Sequence, residues 1–257
     1  MDIAKLTIKE ITTHIENSDA ERRKELIEIL KMDTRSAVQN LLIKLSKKED
    51  RDRKEIERLE IMKSFEYQYI KRGARYIAGI DEVGRGPLAG PVYASAVILP
   101  IECVIKGIND SKKLSPQKRS LLYEEIKEKA VCYSTGYCDE KTIDEVNILK
   151  ATFKAMKQAV EGLSIKPDVL LIDAVKIPDV DIFQVPIIKG DAKSFSIAAA
   201  SIVAKVERDT VMDKYHELFP HYNFISNKGY GTQDHIDAIK KHGPCNIHRR
   251  SFIGSFV

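Results

Sequence analysis

One stretch of the chain constrains the fold more than any other, because two apolar runs flank a short turn of acids and glycines. The first run covers residues 76–80 and the second covers residues 92–99. The turn between them carries, in order, Asp81, Glu82, Gly84, Arg85 and Gly86. The pattern predicts a strand, a functional turn and a second strand. Carboxylates at a strand end suit a hard cation, and an arginine in a glycine turn suits phosphate, so the stretch predicts a site for both.

Two further acids stand in similar positions. Asp173 ends the apolar run Val-Leu-Leu-Ile-Asp, and Asp191 comes just before an alanine-rich segment. Acids gathered at one site repel by about 4 kcal/mol for each pair at ~4 Å and an effective dielectric near 20, so a cluster requires cations or protonation. Ligands that are all oxygen favour Mg²⁺ or Mn²⁺ over zinc. Taken alone, an acid at a strand end is more typical of a turn or a helix cap.

Strand-like runs and helical patterns alternate from residue 76 onward. Strands are predicted at residues 76–80, 92–99, 131–137, 169–172 and 182–185. Ser115 before Pro116 predicts the start of one helix, which runs to about residue 130. Thr142 with Glu145 predicts the start of another, and residues 196–218 form a third. This order predicts an α/β fold in which helices flank a mixed sheet.

The first 72 residues differ from the rest, since they contain no glycine or proline and have a helical pattern throughout. Capping-box pairs occur at Thr7 with Glu10 and at Ser18 with Glu21. The segment carries 17 basic and 15 acidic residues, so it is not a basic tail. We predict a helical N-terminal extension, residues 1–72, beside a larger domain, residues 73–257. The extension is either a packing appendage with a solvated face or a surface that binds substrate or a partner.

The composition indicates a soluble globular protein, with 43% hydrophobic and 31% charged residues in a chain of 257. The net charge of +4 is compatible with nucleic-acid binding and equally with many metabolic enzymes. None of the four cysteines has Cys-x-x-Cys spacing, which argues against zinc and for free, mostly buried thiols. The sequence has no signal-peptide pattern, and its longest uncharged stretch, residues 87–101, is too short to span a bilayer. We therefore expect a cytoplasmic protein.

Three familiar motifs are absent from the sequence. The glycines of the turn have the wrong spacing for a Rossmann fingerprint, and Pro87 stands where its helix would begin. The sequence has no Gly-x-x-x-x-Gly-Lys-Ser/Thr loop and no Gly-x-Ser-x-Gly elbow for nucleophilic hydrolysis. These absences argue against dinucleotide binding, P-loop chemistry and a serine hydrolase.

Two polar loops complete the set of candidate functional segments. Residues 110–115, Asp-Ser-Lys-Lys-Leu-Ser, place Lys112 and Lys113 just before a helix. Residues 227–232, Asn-Lys-Gly-Tyr-Gly-Thr, carry Lys228 and Tyr230. Lysine, glycine and an aromatic side chain in one loop suit a platform for a sugar or base. A tyrosine packed on its own helix explains the same composition equally well.

Together these motifs resemble bacterial ribonuclease HII, in its longer form with an N-terminal helical extension. The matching segments, in the family's order, are residues 79–91 (Gly-Ile-Asp-Glu-Val-Gly-Arg-Gly-Pro-Leu-Ala-Gly-Pro), 110–115, 171–173 (Leu-Ile-Asp), 189–191 (Lys-Gly-Asp), 196–205, 227–232 and 248–252 (His-Arg-Arg-Ser-Phe). They extend from about residue 76 to the C-terminus. Each is a weak signal alone, but their order and number make the resemblance specific.

The resemblance implies a ribonuclease H-like mixed sheet flanked by helices, with a helical C-terminal region and a catalytic domain at residues 73–257. It implies an endoribonuclease that cleaves the RNA strand of RNA–DNA hybrids and nicks duplex DNA 5′ of embedded ribonucleotides. The products would carry 3′-hydroxyl and 5′-phosphate ends. We expect Mn²⁺ or Mg²⁺ in a two-metal site and a monomeric enzyme. The sibling ribonuclease HIII is the near alternative, which the helical N-terminus and the Gly-Arg-Gly turn disfavour.

The resemblance also assigns roles by position. The catalytic acids and metal ligands would be Asp81, Glu82, Asp173 and Asp191. The ribonucleotide-sensing loop would be Gly84, Arg85 and Gly86, and Tyr230 would sense the RNA–DNA junction. Contacts to substrate phosphates are expected from Lys112, Lys113, Lys193 and Lys228.

Overall fold

The computed structural model describes residues 6–255, so residues 1–5 and 256–257 of the two predicted domains lie outside it. Two compact units divide the chain, Met1–Arg58 and Leu59–Val257. This division falls inside a long helix, whereas the sequence places a boundary at residue 72. The boundary at residue 72 therefore stays a prediction.

The described residues form helices and strands in the order that the sequence predicts. The helices are α1 (Ile8–Glu16), α2 (Ala20–Lys31), α3 (Ser36–Met62), α4 (Ser64–Ile70), α5 (Pro116–Lys129), α6 (Glu140–Val146), α7 (Ile148–Glu161), α8 (Gly190–Lys193), α9 (Phe195–Leu218), α10 (Phe224–Asn227), α11 (Gln233–His242) and α12 (Arg250–Ile253). The strands are β1 (Ile77–Val83), β2 (Val92–Ile98), β3 (Cys132–Cys138), β4 (Val169–Asp173) and β5 (Phe183–Ile187).

The N-terminal unit is built from α1, α2 and most of α3 around a small apolar core that includes Ile11, Leu30 and Val38. Thr7 and Glu10 form the predicted capping box, which satisfies amides at the start of α1. The second predicted box is wrong. Asp19, rather than Ser18, caps α2 by accepting a hydrogen bond from the Arg22 amide at 2.8 Å, while the Ser18 hydroxyl donates to a carbonyl of α1.

The larger unit contains a five-stranded mixed sheet in the order β3-β2-β1-β4-β5. Strand β1 lies at its centre, antiparallel to β2 and parallel to β4. Strand β3 pairs with β2 in antiparallel fashion, and β5 pairs with β4 in parallel. The predicted α/β class and all five predicted strands are confirmed, with bounds that differ by only a few residues.

Helices cover the two faces of the sheet. Helix α7 packs its apolar stripe, including Met156, against one face. Helix α9 covers the other face with small residues such as Ala198 and Ala199, which allow a close approach. The closest approach is at Gly79 in β1, where a Cβ atom would lie 2.0 Å from the carbonyl carbon of Ser196. Glycine is therefore required at the centre of the sheet, two residues before Asp81.

The helix start predicted at Thr142 with Glu145 is wrong in its capping residue. Asp139 caps α6 by accepting a hydrogen bond from the Thr142 amide at 2.8 Å. The predicted single helix is also interrupted, because Asn147 has φ 72° and starts α7 as a separate helix. By contrast, Ser115 caps α5 with Pro116 at its first position, as predicted.

The C-terminal region packs as a separate apolar cluster against the turn after β1. Its buried members include Leu88, Met212, Phe224 and Ile239. All four cysteines are unpaired thiols, and three of them are buried. No helix between residues 6 and 255 is both long and apolar enough to cross a membrane.

Candidate functional site

Two candidate acids lie side by side at one edge of the central strands. The parallel register of β1 and β4 pairs Ile80 with Ile172, so Asp81 and Asp173 occupy the next positions on adjacent strands. Adjacent strands lie about 4.8 Å apart, which places both side chains at one site. Burial is the main cause that raises the pKa of Asp81, and the charges of Glu82 and Asp173 raise it further. The Glu82 amide and the Ser201 hydroxyl donate to Asp81 and act against this shift.

The other two acids extend the group along the same edge. Burial raises the pKa of Glu82, against the opposing effect of Arg85, whose guanidinium lies 3.3 Å from its carboxylate. Burial followed by the charges of Asp110 and Asp173 raises the pKa of Asp191. Asp110 was not predicted as a member of the site.

We call Asp81, Glu82, Asp173 and Asp191 the carboxylate cluster. The donors of the carboxylate cluster are oxygens only, and three of its members have raised pKa values because their charges are buried or repel one another. This donor chemistry fits a hard divalent cation. Within the described residues, however, no three His, Cys, Asp or Glu side chains lie close enough together to hold one ion as they stand.

Backbone and side-chain contacts fix the segment that carries Asp191. The Gly190 amide donates to Asp173 Oδ1 at 2.7 Å, which joins α8 to the end of β4. Next to it, buried Glu66 from α4 accepts hydrogen bonds from the Ser194 and Ser196 hydroxyls at 2.7 and 2.6 Å. The other carboxylate oxygen of Glu66 is buried without a hydrogen-bond partner. Glu66 thus anchors the start of α9, four residues after Asp191, and no pattern in the sequence indicates this role.

The four predicted lysines have different surroundings. Burial acts to lower the pKa of Lys112, but the charges of Asp81, Asp110 and Asp191 together outweigh it and raise the pKa. Lys112 therefore faces the carboxylate cluster. Lys113 and Lys193 are exposed, and Lys113 lies 3.9 Å from the Asp110 carboxylate. Lys228 donates to Asp213, which is not one of the candidate acids.

The turn after β1, which we call the glycine loop (residues 84–90), is held by buried arginines. Arg249 donates to the Gly84, Arg85 and Gly90 carbonyls at 2.6 to 3.0 Å. Arg208 donates to the Ala89, Pro91 and Lys228 carbonyls at 2.9 to 3.3 Å. Gly84 has φ 89°, and a Cβ atom there would meet the Arg208 side chain at 2.2 Å. The loop conformation thus depends on glycine at residue 84 and on two guanidinium groups that the sequence analysis missed.

Tyr230 lies directly beside the glycine loop. A Cβ atom at Gly86 would be 3.9 Å from Tyr230 Cε1, so the tyrosine ring borders the open side of that glycine. Arg208 Cζ lies 5.9 Å from the centre of the same ring. The ring is partly exposed, with 39% of its residue surface accessible. The structure therefore brings together the loop and the tyrosine, which are 140 or more positions apart in the sequence.

Arg208 and Arg249 are the main residues that sequence reasoning missed. Arg249 belongs to the His-Arg-Arg-Ser-Phe motif, but charged residues near a C-terminus are usually solvated. Its complete burial, beside Arg208, lowers its pKa to about 9. It remains protonated at neutral pH, and its donors satisfy carbonyls that would otherwise be buried without partners.

Comparison with known proteins identifies close relatives over nearly the whole chain. The family profile described as Ribonuclease HII matches residues 78–255, and the profile described as Ribonuclease HII N-terminal domain matches residues 7–70. Ribonuclease HII of Clostridioides difficile is 53% identical over 251 residues, covering 98% of each chain.

Solved structures share the fold of the larger unit. The ribonuclease H2 of Pyrococcus horikoshii is 27% identical, with a TM-score of 0.57 over 69% of this chain and 93% of its own. A Bst ribonuclease HIII solved in complex with Mn²⁺ is 18% identical, with a TM-score of 0.50 over 65% of this chain and 63% of its own. The second likeness is one of fold alone.

Proposed function

The chain belongs to the ribonuclease HII family, and from this premise we propose that it nicks duplex DNA on the 5′ side of single embedded ribonucleotides. Members of this family are nucleases that hydrolyse the RNA strand of RNA–DNA hybrids. The nicks would leave 3′-hydroxyl and 5′-phosphate ends, and the reaction would depend on Mg²⁺ or Mn²⁺. The proposal rests chiefly on one observation, the position of the Tyr230 ring beside Gly86, where an added Cβ atom would lie 3.9 Å from the ring.

The carboxylate cluster supports metal-assisted hydrolysis. Asp81 would be the central acid, since it is buried, belongs to the middle strand β1 and lies beside Asp173. Glu82, Asp173 and Asp191 would complete the ligand set. Bound divalent cations would lower the pKa of an attacking water and stabilise the leaving oxygen. The chain itself would hold the scissile phosphate at this edge of the sheet and needs no nucleophilic side chain.

The glycine loop supports recognition of a 2′-hydroxyl group. This group both donates and accepts hydrogen bonds, and it distinguishes RNA from DNA locally. Backbone groups of the loop can approach it at Gly86, where no side chain is in the way, while Gly84 lets the chain pass close to Arg208. Arg85 lies at the loop surface, where it pairs with Glu82 and can meet a phosphate.

Tyr230 supports recognition of the step from RNA to DNA. A ring that stacks on the neighbouring deoxyribose would exclude the bulkier ribose, so cleavage would require DNA on that side. The lysines would supply phosphate contacts around this centre. Lys112 lies nearest the acids, Lys113 and Lys193 are exposed, and Lys228 first has to leave Asp213.

A cleavage assay with three labelled duplexes tests the proposal. One contains a single ribonucleotide, one is a continuous RNA–DNA hybrid, and one is all DNA. We expect nicking 5′ of the ribonucleotide in Mg²⁺ or Mn²⁺, no cleavage in EDTA and none of the all-DNA duplex. Ligation of the products reports their 3′-hydroxyl and 5′-phosphate ends. Cleavage of the hybrid alone would refute the proposed substrate, and binding without cleavage in either metal would favour a nucleic-acid-binding module.

A further inference from the structure

Two buried histidines form a hydrogen-bond chain behind Tyr230. His235 Nδ1 lies 2.8 Å from the Tyr230 carbonyl oxygen, and His235 Nε2 lies 3.0 Å from His248 Nε2. His248 Nδ1 in turn lies 3.0 Å from the Cys245 amide and 3.1 Å from the Cys245 thiol. Both imidazoles are fully buried and are packed by the rings of Tyr222 and Phe224. The chain of contacts therefore has no access to solvent at either histidine.

The chain of contacts fixes the tautomer of each ring. The Tyr230 carbonyl can only accept, so His235 Nδ1 donates to it and, in a neutral ring, His235 Nε2 accepts. His248 Nε2 must then donate to His235, which leaves His248 Nδ1 to accept from Cys245. Burial lowers the pKa of both rings, for His248 to about 4, so the neutral pair is the form present at pH 7. Every polar atom in the chain is satisfied in this one arrangement.

The same C-terminal segment also holds the glycine loop. His248 forms an isolated β-bridge with Ala89, and the Gly90 amide donates to the Ile247 carbonyl at 2.8 Å. The next residue, Arg249, donates to the loop carbonyls described above. Consecutive residues 248 and 249 thus connect to Tyr230 on one side and to the glycine loop on the other.

We propose that His235 and His248 are positioning residues that keep Tyr230 in register with the glycine loop and so set the preference for a lone ribonucleotide over a continuous hybrid. The inference rests on the proposed junction role of Tyr230. Neither histidine reaches the substrate. Each acts through main-chain atoms, so losing the pair would shift the tyrosine ring relative to Gly86 without altering the carboxylate cluster.

Two substitutions of His235 separate the effect of its hydrogen bonds from the effect of its side-chain volume. In His235→Asn, the side-chain amide nitrogen stands where Nδ1 stood and can still donate to the Tyr230 carbonyl. In His235→Leu, the volume remains and both hydrogen bonds are lost. Tyr222→Phe is the matched control, because it removes the hydroxyl bond to the Gly243 carbonyl in the same cluster and leaves the histidine pair intact.

The readout is the ratio of kcat/KM on a single-ribonucleotide duplex to kcat/KM on a continuous hybrid. We expect His235→Leu to lower this ratio about tenfold while hybrid cleavage stays within about threefold, since only the recognition group is misplaced. His235→Asn should keep most of the wild-type ratio. Tyr222→Phe should lower thermal stability and leave the ratio unchanged. An unchanged ratio in His235→Leu, or equal losses on both substrates, would overturn the inference.

The ring tautomers give a second test that does not depend on cleavage. Nitrogen-15 chemical shifts of the wild-type imidazoles at pH 7 should show His235 protonated at Nδ1 and His248 protonated at Nε2. A charged imidazole, or the same tautomer at both residues, would contradict the positioning chain. If the wild-type enzyme cleaves hybrids but not the single-ribonucleotide duplex, the proposed function fails and this inference with it. If the wild type nicks the single-ribonucleotide duplex but the variants do not behave as expected, this inference fails and the proposed function stands.

Discussion

The carboxylate cluster and the glycine loop lie side by side, but opposite physical conditions hold them in place. In the loop, buried guanidinium groups satisfy one carbonyl after another, so the conformation is stable by itself. In the cluster, burial and like charges raise the pKa values of Asp81 and Glu82, so the ionised arrangement is costly. The loop is thus preformed, whereas the carboxylate cluster is arranged so that a cation would stabilise it. Four predictions test this contrast.

The largest expected effect is on catalysis by Asp81→Asn. We expect the cleavage rate to fall by about a thousandfold or more, because the proposed mechanism makes Asp81 the central acid of a metal-assisted site. Without metal at pH 7 the variant should be more stable than the wild type. The raised pKa of Asp81 means that the folded chain binds the proton of this carboxyl more tightly than the unfolded chain does. The stability that the protonated Asp81 contributes is therefore lost as pH rises above about 4, the pKa of an aspartate in the unfolded chain.

Asp168→Asn is the matched control for that experiment. Asp168 precedes β4 at the other end of the sheet and accepts hydrogen bonds from the Arg75 and Tyr76 amides. Cleavage should be unchanged and stability slightly lower. Rates and thermal midpoints of both variants, measured in EDTA and in metal, provide the check. Full activity of Asp81→Asn would remove the carboxylate cluster from the mechanism.

The next largest effect is on stability, by Arg249→Met. Three loop carbonyls would lose their donor, so we expect the free energy of unfolding to fall by about 3 kcal/mol. Cleavage at a lone ribonucleotide should fall with it. The neighbouring Arg250→Met, at an exposed residue, should change stability by less than about 0.5 kcal/mol. Urea unfolding of the two variants provides the comparison, and equal stabilities would show that the loop does not depend on the Arg249 guanidinium.

A third effect concerns pH in the histidine-supported region. The pKa of His248 is lowered to about 4 in the folded protein, against about 6.5 for a free imidazole. The stability that the neutral His248 ring contributes to the folded protein is therefore complete above pH 6.5. It is lost as pH falls from 6.5 towards 4, because the unfolded chain binds a proton at this residue before the folded chain does. We expect about 1 to 2 kcal/mol of stability to be lost from pH 7.5 to pH 5. Urea unfolding of His248→Gln should show a smaller loss, and an equal loss in both proteins would reject this assignment.

The smallest effect is on substrate binding, by Lys113→Met. This lysine is exposed and lies beside an acid, so we expect about threefold weaker binding and a shallower dependence on salt, by about one counterion. Turnover should not change. Lys127→Met, which removes a lysine paired with Glu124 on α5, is the control and should bind as the wild type does. Binding titrations of both variants and the wild type at several salt concentrations provide the check. Identical slopes of binding constant against salt concentration, on logarithmic axes, would exclude a phosphate contact at Lys113.

The sequence predicted the carboxylate cluster and not the arginines for a physical reason. Asp81 and Asp173 follow apolar runs, so their neighbours in sequence already place them at strand ends. The partners of Arg208 and Arg249 are backbone carbonyls that lie over a hundred positions away, apart from Lys228, and have no signature in residue type. From sequence alone, a charged side chain in such a position is expected to be solvated, and only the fold shows which groups it contacts.

Local capping was predicted only where the residue types left a single choice. Ser115 before Pro116 had no competitor and caps α5 as expected. Ser18 stands next to Asp19, which is about as good an N-cap residue, and the structure places Asp19 at the cap. The break at Asn147 depends on a positive φ, which asparagine tolerates but does not require.

The close approach at Gly79 has a mechanical consequence. Beneath Asp81 the sheet and α9 meet backbone to backbone, without an intervening layer of side chains that could change rotamer. Such a contact has little free volume and therefore low compressibility. The floor of the site is therefore rigid, and Asp81, two residues along β1 from this contact, is held on a backbone segment that cannot readily shift.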